Sequence, residues 1–188
     1  IDNTPRPREQ VAAAYDKYLE EFGPRWVQSR IASDGSREVK LKTLDEFRAL
    51  FDEAGDFILI RGEEITDSYQ AHPIHMNGVN LVDKIAPQGG KDVPDTIQNN
   101  VDAVEQQSAQ YQQPMVIHLN HPNFHYAQTA EDFLTIDYAP GTGFFEMFNG
   151  HSSVNNYGDD FHESTERMWD IVLAKRLGEL KRSLINGV

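Results

Sequence analysis

The 188 residues include 30 acidic and 17 basic side chains, giving a formal net charge of -13, with 39% hydrophobic residues and no cysteine. Such a length and apolar share allow a compact domain, while the charge opposes binding to a nucleic-acid backbone or an anionic membrane unless a basic patch compensates, and none is visible. Without cysteine there are no disulfides and no thiolate metal sites, so any bound metal must take nitrogen and oxygen ligands.

No apolar run is long enough to cross a bilayer, and the opening IDNTPRPREQ lacks the basic-then-apolar pattern of a signal peptide. The compartment is therefore not legible. No repeat or linker divides the chain, which reads as one domain over residues 1–188.

The elements follow in chain order. Arg8 to Phe22 sets Val11, Tyr15, Tyr18, Leu19 and Phe22 on one helical stripe. Thr43 with Glu46 three residues later forms a capping box, opening a helix expected to bury Leu44, Phe47, Leu50 and Phe51. The apolar run 57–60 predicts a strand buried on both faces that ends at Arg61-Gly62-Glu63-Glu64. A strand is expected over 74–80 and a loop over 87–94. A helix over 95–111 would turn Ile97, Val101, Val104 and Ser108 inward. A second buried strand is expected over 114–119, a short helix capped by Thr129, and a third strand over 143–148. The last helix, over 164–180, leads to core candidates Met168, Ile171, Val172 and Leu184. Alternating strands and helices predict an α/β fold with a mainly parallel sheet.

All seven histidines fall between positions 72 and 162. In α/β folds, sites gather at the carboxyl ends of strands. Three such ends are expected: Glu63 and Glu64 followed by His72 and His75, then His118 and His121, then Glu146 and Asn149. Imidazole and carboxylate together suit zinc, manganese or iron. Neighbouring residues of a strand face opposite ways, so only one of Glu63 and Glu64 can enter a site. His118 and His121 can share one side only if the chain bends, and Pro122 favours a bend at Asn120-His121-Pro122.

These residues carry a resemblance. Arg61-Gly62-Glu63-Glu64-Ile65-Thr66, followed by Pro73-Ile74-His75-Met76, and then Asn120-His121-Pro122, resembles in order the metal-binding segments of the polymerase-and-histidinol-phosphatase (PHP) family. Phe145-Glu146-Met147-Phe148-Asn149-Gly150 is similar to that family's next strand, and Met168-Trp169-Asp170-Ile171 to the element after it. The family's opening His-x-His and Asp-His motifs and its closing Asp-x-His motif are not in the sequence. The resemblance thus covers a central portion of a PHP-like domain, incomplete at both ends, with 184–188 similar to the start of the last motif strand.

The resemblance implies a partial or distorted (β/α) barrel of the seven-stranded PHP type. It also implies a metal-dependent hydrolase of phosphate esters, with up to three divalent ions of zinc, manganese or iron and a small-molecule phosphate ester as partner. Glu64, His75 and His121 would be the metal ligands, His118 and His151 the catalytic candidates, and Asn123 and Asn149 the substrate contacts. Two rival readings stand beside it. In a non-catalytic domain with a structural or binding role, the histidines would each hold a separate local hydrogen bond. A metal-dependent amidohydrolase would want a lysine at a strand end near the metals. A chain lacking barrel strands would expose sheet edges, so a homo-oligomer or looser self-association is expected.

Overall fold

The structure is a computed structural model that describes residues 8–182 and 185–187. The expected apolar positions Val11, by its side chain, and Leu184 lie outside the described residues, as does Val188 of the expected closing strand. The chain forms two compact units that divide between Leu59 and Ile60.

In the first unit, helix α1 (Arg8–Phe22) is followed by a two-stranded antiparallel ribbon, β1 (Ser29–Ile31) and β2 (Arg37–Val39), and by α2 (Leu44–Phe51). The capping box forms as expected: the Thr43 hydroxyl accepts from the Glu46 amide at 3.3 Å, and Glu46 accepts from the Thr43 amide at 2.9 Å. The burial expected of α2 does not follow. Leu44 and Phe47 are half-buried, and Leu50 and Phe51 are 57% and 44% exposed. The strand expected at 57–60 is absent. Phe57 makes a single bridge to Glu53, and Phe57, Ile58 and Ile60 are exposed.

The second unit is built on a sheet in the order β3-β4-β5-β6-β7. Its strands are β3 (Gly62–Tyr69), β4 (His72–Val79), β5 (Val116–Leu119), β6 (Gly143–Phe145) and β7 (Asn186–Gly187). The first two pairings are antiparallel and the last two parallel. This corrects the expected fold. The sheet is mixed and, among the described residues, does not close into a seven-stranded barrel, because β3 and β4 form a hairpin where a barrel requires a helical crossover.

Alternation along these strands sorts the side chains into two faces. Ile65, Met76, Leu119 and Phe145 lie opposite one another across four strands and are all buried, together with Ile74 and Ile117. Helix α3 (Val93–Tyr111) belongs to the same core through Ile97, Val101 and Val104, as the sequence predicts, while Ser108 is half-buried. Asp92 caps the helix by accepting from the Asp95 amide at 2.8 Å. Asn100 ties it to β3 by donating to Asp67 at 2.7 Å.

Helix α4 (Thr165–Leu173), which continues as a π-helical turn Ala174–Leu180, adds Met168 and Val172. The fully buried Arg176 in that turn donates to the carbonyls of Phe133, Leu134 and Ile136. Among the described residues no helix is long and apolar enough to cross a membrane.

Candidate metal centre

The residues between the core positions face the other way. Glu64 pairs with Asn77, Asn77 with His118 and His118 with Phe144, while His75, two residues before Asn77, shares their face. The polar row therefore lies across the middle of a sheet face. This replaces the expected placement at strand ends: Glu64 is the third residue of β3 and His75 the fourth of β4. Glu63 turns the other way and accepts from the Ile85 amide at 2.5 Å, so one glutamate of the pair enters the site, as alternation requires.

The chain bends directly after β5. The Asn120 amide still donates to the His75 carbonyl at 3.0 Å, and His121 then adopts φ +24°. A non-glycine residue in this region costs about 1–3 kcal/mol. The Glu146 carboxylate offsets that cost by accepting from the His121 amide at 2.5 Å, and a hydrogen bond to a charged group contributes about 1.5–3 kcal/mol. The bend swings the His121 ring back over β3 and β4.

Three donor atoms consequently converge from three chain segments. His75 Nδ1 lies 3.3 Å from His121 Nε2, and Glu64 Oε1 lies 3.5 Å from the first and 3.6 Å from the second. Ligand atoms held about 2.1 Å from a tetrahedral zinc stand about 3.4 Å apart. The trio fits that spacing, and two imidazoles with one carboxylate suit zinc, manganese or iron.

Burial lowers the pKa of His75, outweighing the Glu64 carboxylate that raises it, and His121 lowers it further. Burial thus favours the neutral ring, the form that ligates. Asn120, 4% exposed, donates to Glu64 Oε1 at 3.0 Å and fixes the carboxylate from beneath. The Phe124 ring packs 5.1 Å from His121 and 6.0 Å from His75 and walls the trio on one side.

The remaining expected residues are placed as follows. His118 stands on the same sheet face, its Nδ1 3.5 Å from Asn77 Nδ2, and burial lowers its pKa against the opposing effect of Glu146. His151 is exposed on the loop after β6, where Nδ1 accepts from the Ser153 amide at 3.2 Å. Asn123 is buried and donates to the carbonyls of Asn155 and Glu163 at 2.9 and 3.0 Å, joining the bend to the 149–163 loop. Asn149 donates to both Glu146 oxygens, at 3.1 and 3.0 Å, and accepts from the His151 amide.

Nothing in the sequence marks Asn120 and Glu146 as supports of the trio. A carboxylate at a strand end is visible in the sequence, but its partner here is a backbone amide, which leaves no residue-type signal.

Buried polar atoms without a partner mark the same spot. His118 Nε2, Asn120 Oδ1 and His121 Nδ1 are three of the six such side-chain atoms among the described residues. Each costs about 1–3 kcal/mol unless a water or ligand meets it, so their concentration within four positions sets this segment apart. By contrast, a groove of about 440 Å³ in the first unit is lined by Gln28, Ser29, Arg30, Glu38, Val39 and Lys40 and holds no imidazole. Concavity and chemistry do not coincide here, and the donor set is the better guide.

No family model, curated protein or solved structure matches the chain.

Proposed function

We propose that the second unit is a metal-dependent hydrolase of phosphate esters, with Glu64, His75 and His121 holding a divalent zinc, manganese or iron ion. The observation that carries this reading is the convergence of the three donor atoms, from β3, β4 and the bend after β5, at the spacing of ligands around one cation. The rival in which each histidine keeps its own local hydrogen bond fits His72 and His162, which hold the Ala127 carbonyl and Asp159, but not His75 and His121, which meet each other. The amidohydrolase reading has no lysine to use: Lys84, Lys91, Lys175 and Lys181 of this unit all lie outside its strands.

The choice of a phosphate ester rests on the PHP resemblance of Glu64, His75 and Asn120-His121-Pro122. A bound divalent ion would polarise a phosphoryl oxygen and render a water nucleophilic near neutral pH. The cation would also neutralise Glu64 and admit an anionic ester to a chain of net charge -13. His118, on the same sheet face as the trio, is the first proton-transfer candidate. His151, exposed after β6, is the second proton-transfer candidate. Asn123, 2% exposed with its amide donated to two carbonyls, and Asn149, whose amide is held by Glu146, brace the flanking loops rather than face a substrate.

Elemental mass spectrometry of the purified protein, paired with hydrolysis of p-nitrophenyl phosphate in manganese or zinc, tests this. About one equivalent of metal or more is expected, lost together with turnover in a Glu64→Ala, His121→Ala double variant. Metal without turnover would leave a binding site alone. Neither metal nor any difference between the two proteins would end the metal reading.

A further inference from the structure

We infer that Glu146 is a positioning residue of the metal centre, acting through the main chain of His121 rather than as a ligand. The inference rests on the reading of Glu64, His75 and His121 as a metal trio, and extends it to a residue that bonds the trio through a backbone amide.

Two of the three ligands need no special backbone. Glu64 and His75 sit inside paired strands, where the ladder fixes their Cα–Cβ directions. His121 lies beyond the last residue of β5 and at φ +24°, so neither a ladder nor its own conformational preference holds it. Its direction is set by two backbone hydrogen bonds, the carbonyl accepting from the Phe124 amide at 2.8 Å and the amide donating to the Glu146 carboxylate at 2.5 Å, of which only the second reaches a side chain that substitution can remove. Release of that amide frees His121 to relax toward negative φ, and Nε2 then swings away from Glu64 and His75.

Glu146 is itself fixed from both sides. Its amide donates to the Leu119 carbonyl at 3.0 Å, which continues the parallel register of β5 and β6 by one residue. Both carboxylate oxygens accept from Asn149 Nδ2. Asn149 exchanges two hydrogen bonds with Asn156: its amide donates to Oδ1 and its carbonyl accepts from Nδ2, each at 2.8 Å. Asn156, 8% exposed, in turn accepts through its carbonyl from the amide of Thr165, the first residue of α4, at 3.0 Å, while the Thr165 hydroxyl donates to the Met147 carbonyl at 2.6 Å. An unbroken polar path therefore runs from the start of α4 to the one ligand that the sheet does not orient. A carboxylate with all these bonds made is a fixed acceptor, whereas a free one would hold the amide only part of the time.

The test uses the full chain with Glu146→Gln, which keeps the shape and removes the charge, and with Asn149→Ala, which leaves the carboxylate but removes its clamp. The first readout needs no metal. The amide proton of His121 in a 15N–1H spectrum is expected well downfield in the parent, moving upfield in Glu146→Gln and partly so in Asn149→Ala. The second readout is the zinc dissociation constant by competition with a chromophoric chelator, expected to weaken by about 10–100-fold in Glu146→Gln. A smaller loss is expected in Asn149→Ala, which serves alone if Glu146→Gln does not fold. A parent that binds no zinc yet shows the amide shift would sink the metal trio and leave the Glu146 hold on His121 standing. An unmoved His121 amide in the variants, or zinc bound as tightly as by the parent, would overturn the inference.

Discussion

The two units of this chain are organised by different forces. In the first, both helices are announced locally while the ribbon β1-β2 is not, and little is packed: α2 has a complete capping box, yet none of the unit's described side chains is buried. In the second, β3 carries only Ile65 and Tyr69 as apolar residues in Gly62–Tyr69, yet it lies in a sheet whose core face is closed by Met76, Leu119 and Phe145. Local signals can define helices without making a core. A core can impose a strand that local signals do not favour, and the register it imposes sets Glu64 opposite Asn77 on the face that carries the site.

The largest effect expected from this contrast is in packing. Phe145→Ala removes a ring buried edge-on against Phe133 at 5.3 Å and should cost about 3–5 kcal/mol in denaturant unfolding of the second unit. Leu50→Ala, at an exposed position, should stay within about 0.5 kcal/mol. Similar costs would erase the distinction between the units.

Metal sharpens the comparison. Zinc at about 100 times its dissociation constant should stabilise the second unit by about 2.7 kcal/mol, read by hydrogen exchange in α3 and β4, and leave α1 and α2 unchanged. Equal protection in both units would point to nonspecific binding.

Next comes the cap. Thr43→Ala should cost α2 about 1 kcal/mol, visible as faster exchange of the amides at 44–51 with no change beyond residue 60. A parent-like exchange rate would mean that α2 is held by something other than its cap.

Acid should separate the units by pH window. His75 and His118 have lowered pKa values in the folded protein, so below their ordinary value of 6.5 the unfolded chain binds protons that the folded one does not. Stability of the second unit should therefore begin to fall as the pH drops below about 6.5, and His118→Gln should flatten that fall. In the first unit the Lys40 ammonium, with the Thr43 amide, holds the Glu46 carboxyl down to about 2. Its contribution is complete above 4.5 and is lost only as the pH falls toward about 2. Coincident acid transitions in the two units, followed by far-UV circular dichroism and exchange, would contradict both assignments.

Much of this architecture is written locally. Helix α1 keeps its expected bounds, α3 buries Ile97, Val101 and Val104 as their spacing demands, and Thr129 opens the short Ala130–Phe133 turn. The trio Glu64, His75 and His121 was legible through the order of the PHP-like motifs, since residue chemistry alone leaves Glu63, His72 and His118 beside it; the bend falls at His121 as expected, but at φ +24° rather than in the extended region that a following proline favours.

What failed did so for identifiable reasons. The run Phe57-Ile58-Leu59-Ile60 reads as a buried strand on hydrophobicity alone, but the strand forms five residues later, where β4 offers a partner. The hairpin joining them turns at Gln70-Ala71 with Gln70 at φ +53°, without the glycine or asparagine that announces such turns. The barrel expectation fell with that hairpin, since an antiparallel pair occupies the place of a parallel crossover. The expected strand over 143–148 stops at Phe145, and Phe148 is exposed, because β6 has only the four-residue β5 and the two-residue β7 beside it.

The measurement that bears most directly on the central claim is a cobalt(II) titration of the metal-free protein, followed by visible absorption, with His75→Ala and His121→Ala run in parallel. Saturation is expected at one equivalent, with the intense bands of a low-coordinate ion in a nitrogen and oxygen site, and those bands should be lost in either variant. The weak spectrum of the hydrated ion at every ratio, unchanged by either substitution, would show that Glu64, His75 and His121 meet without forming a metal centre.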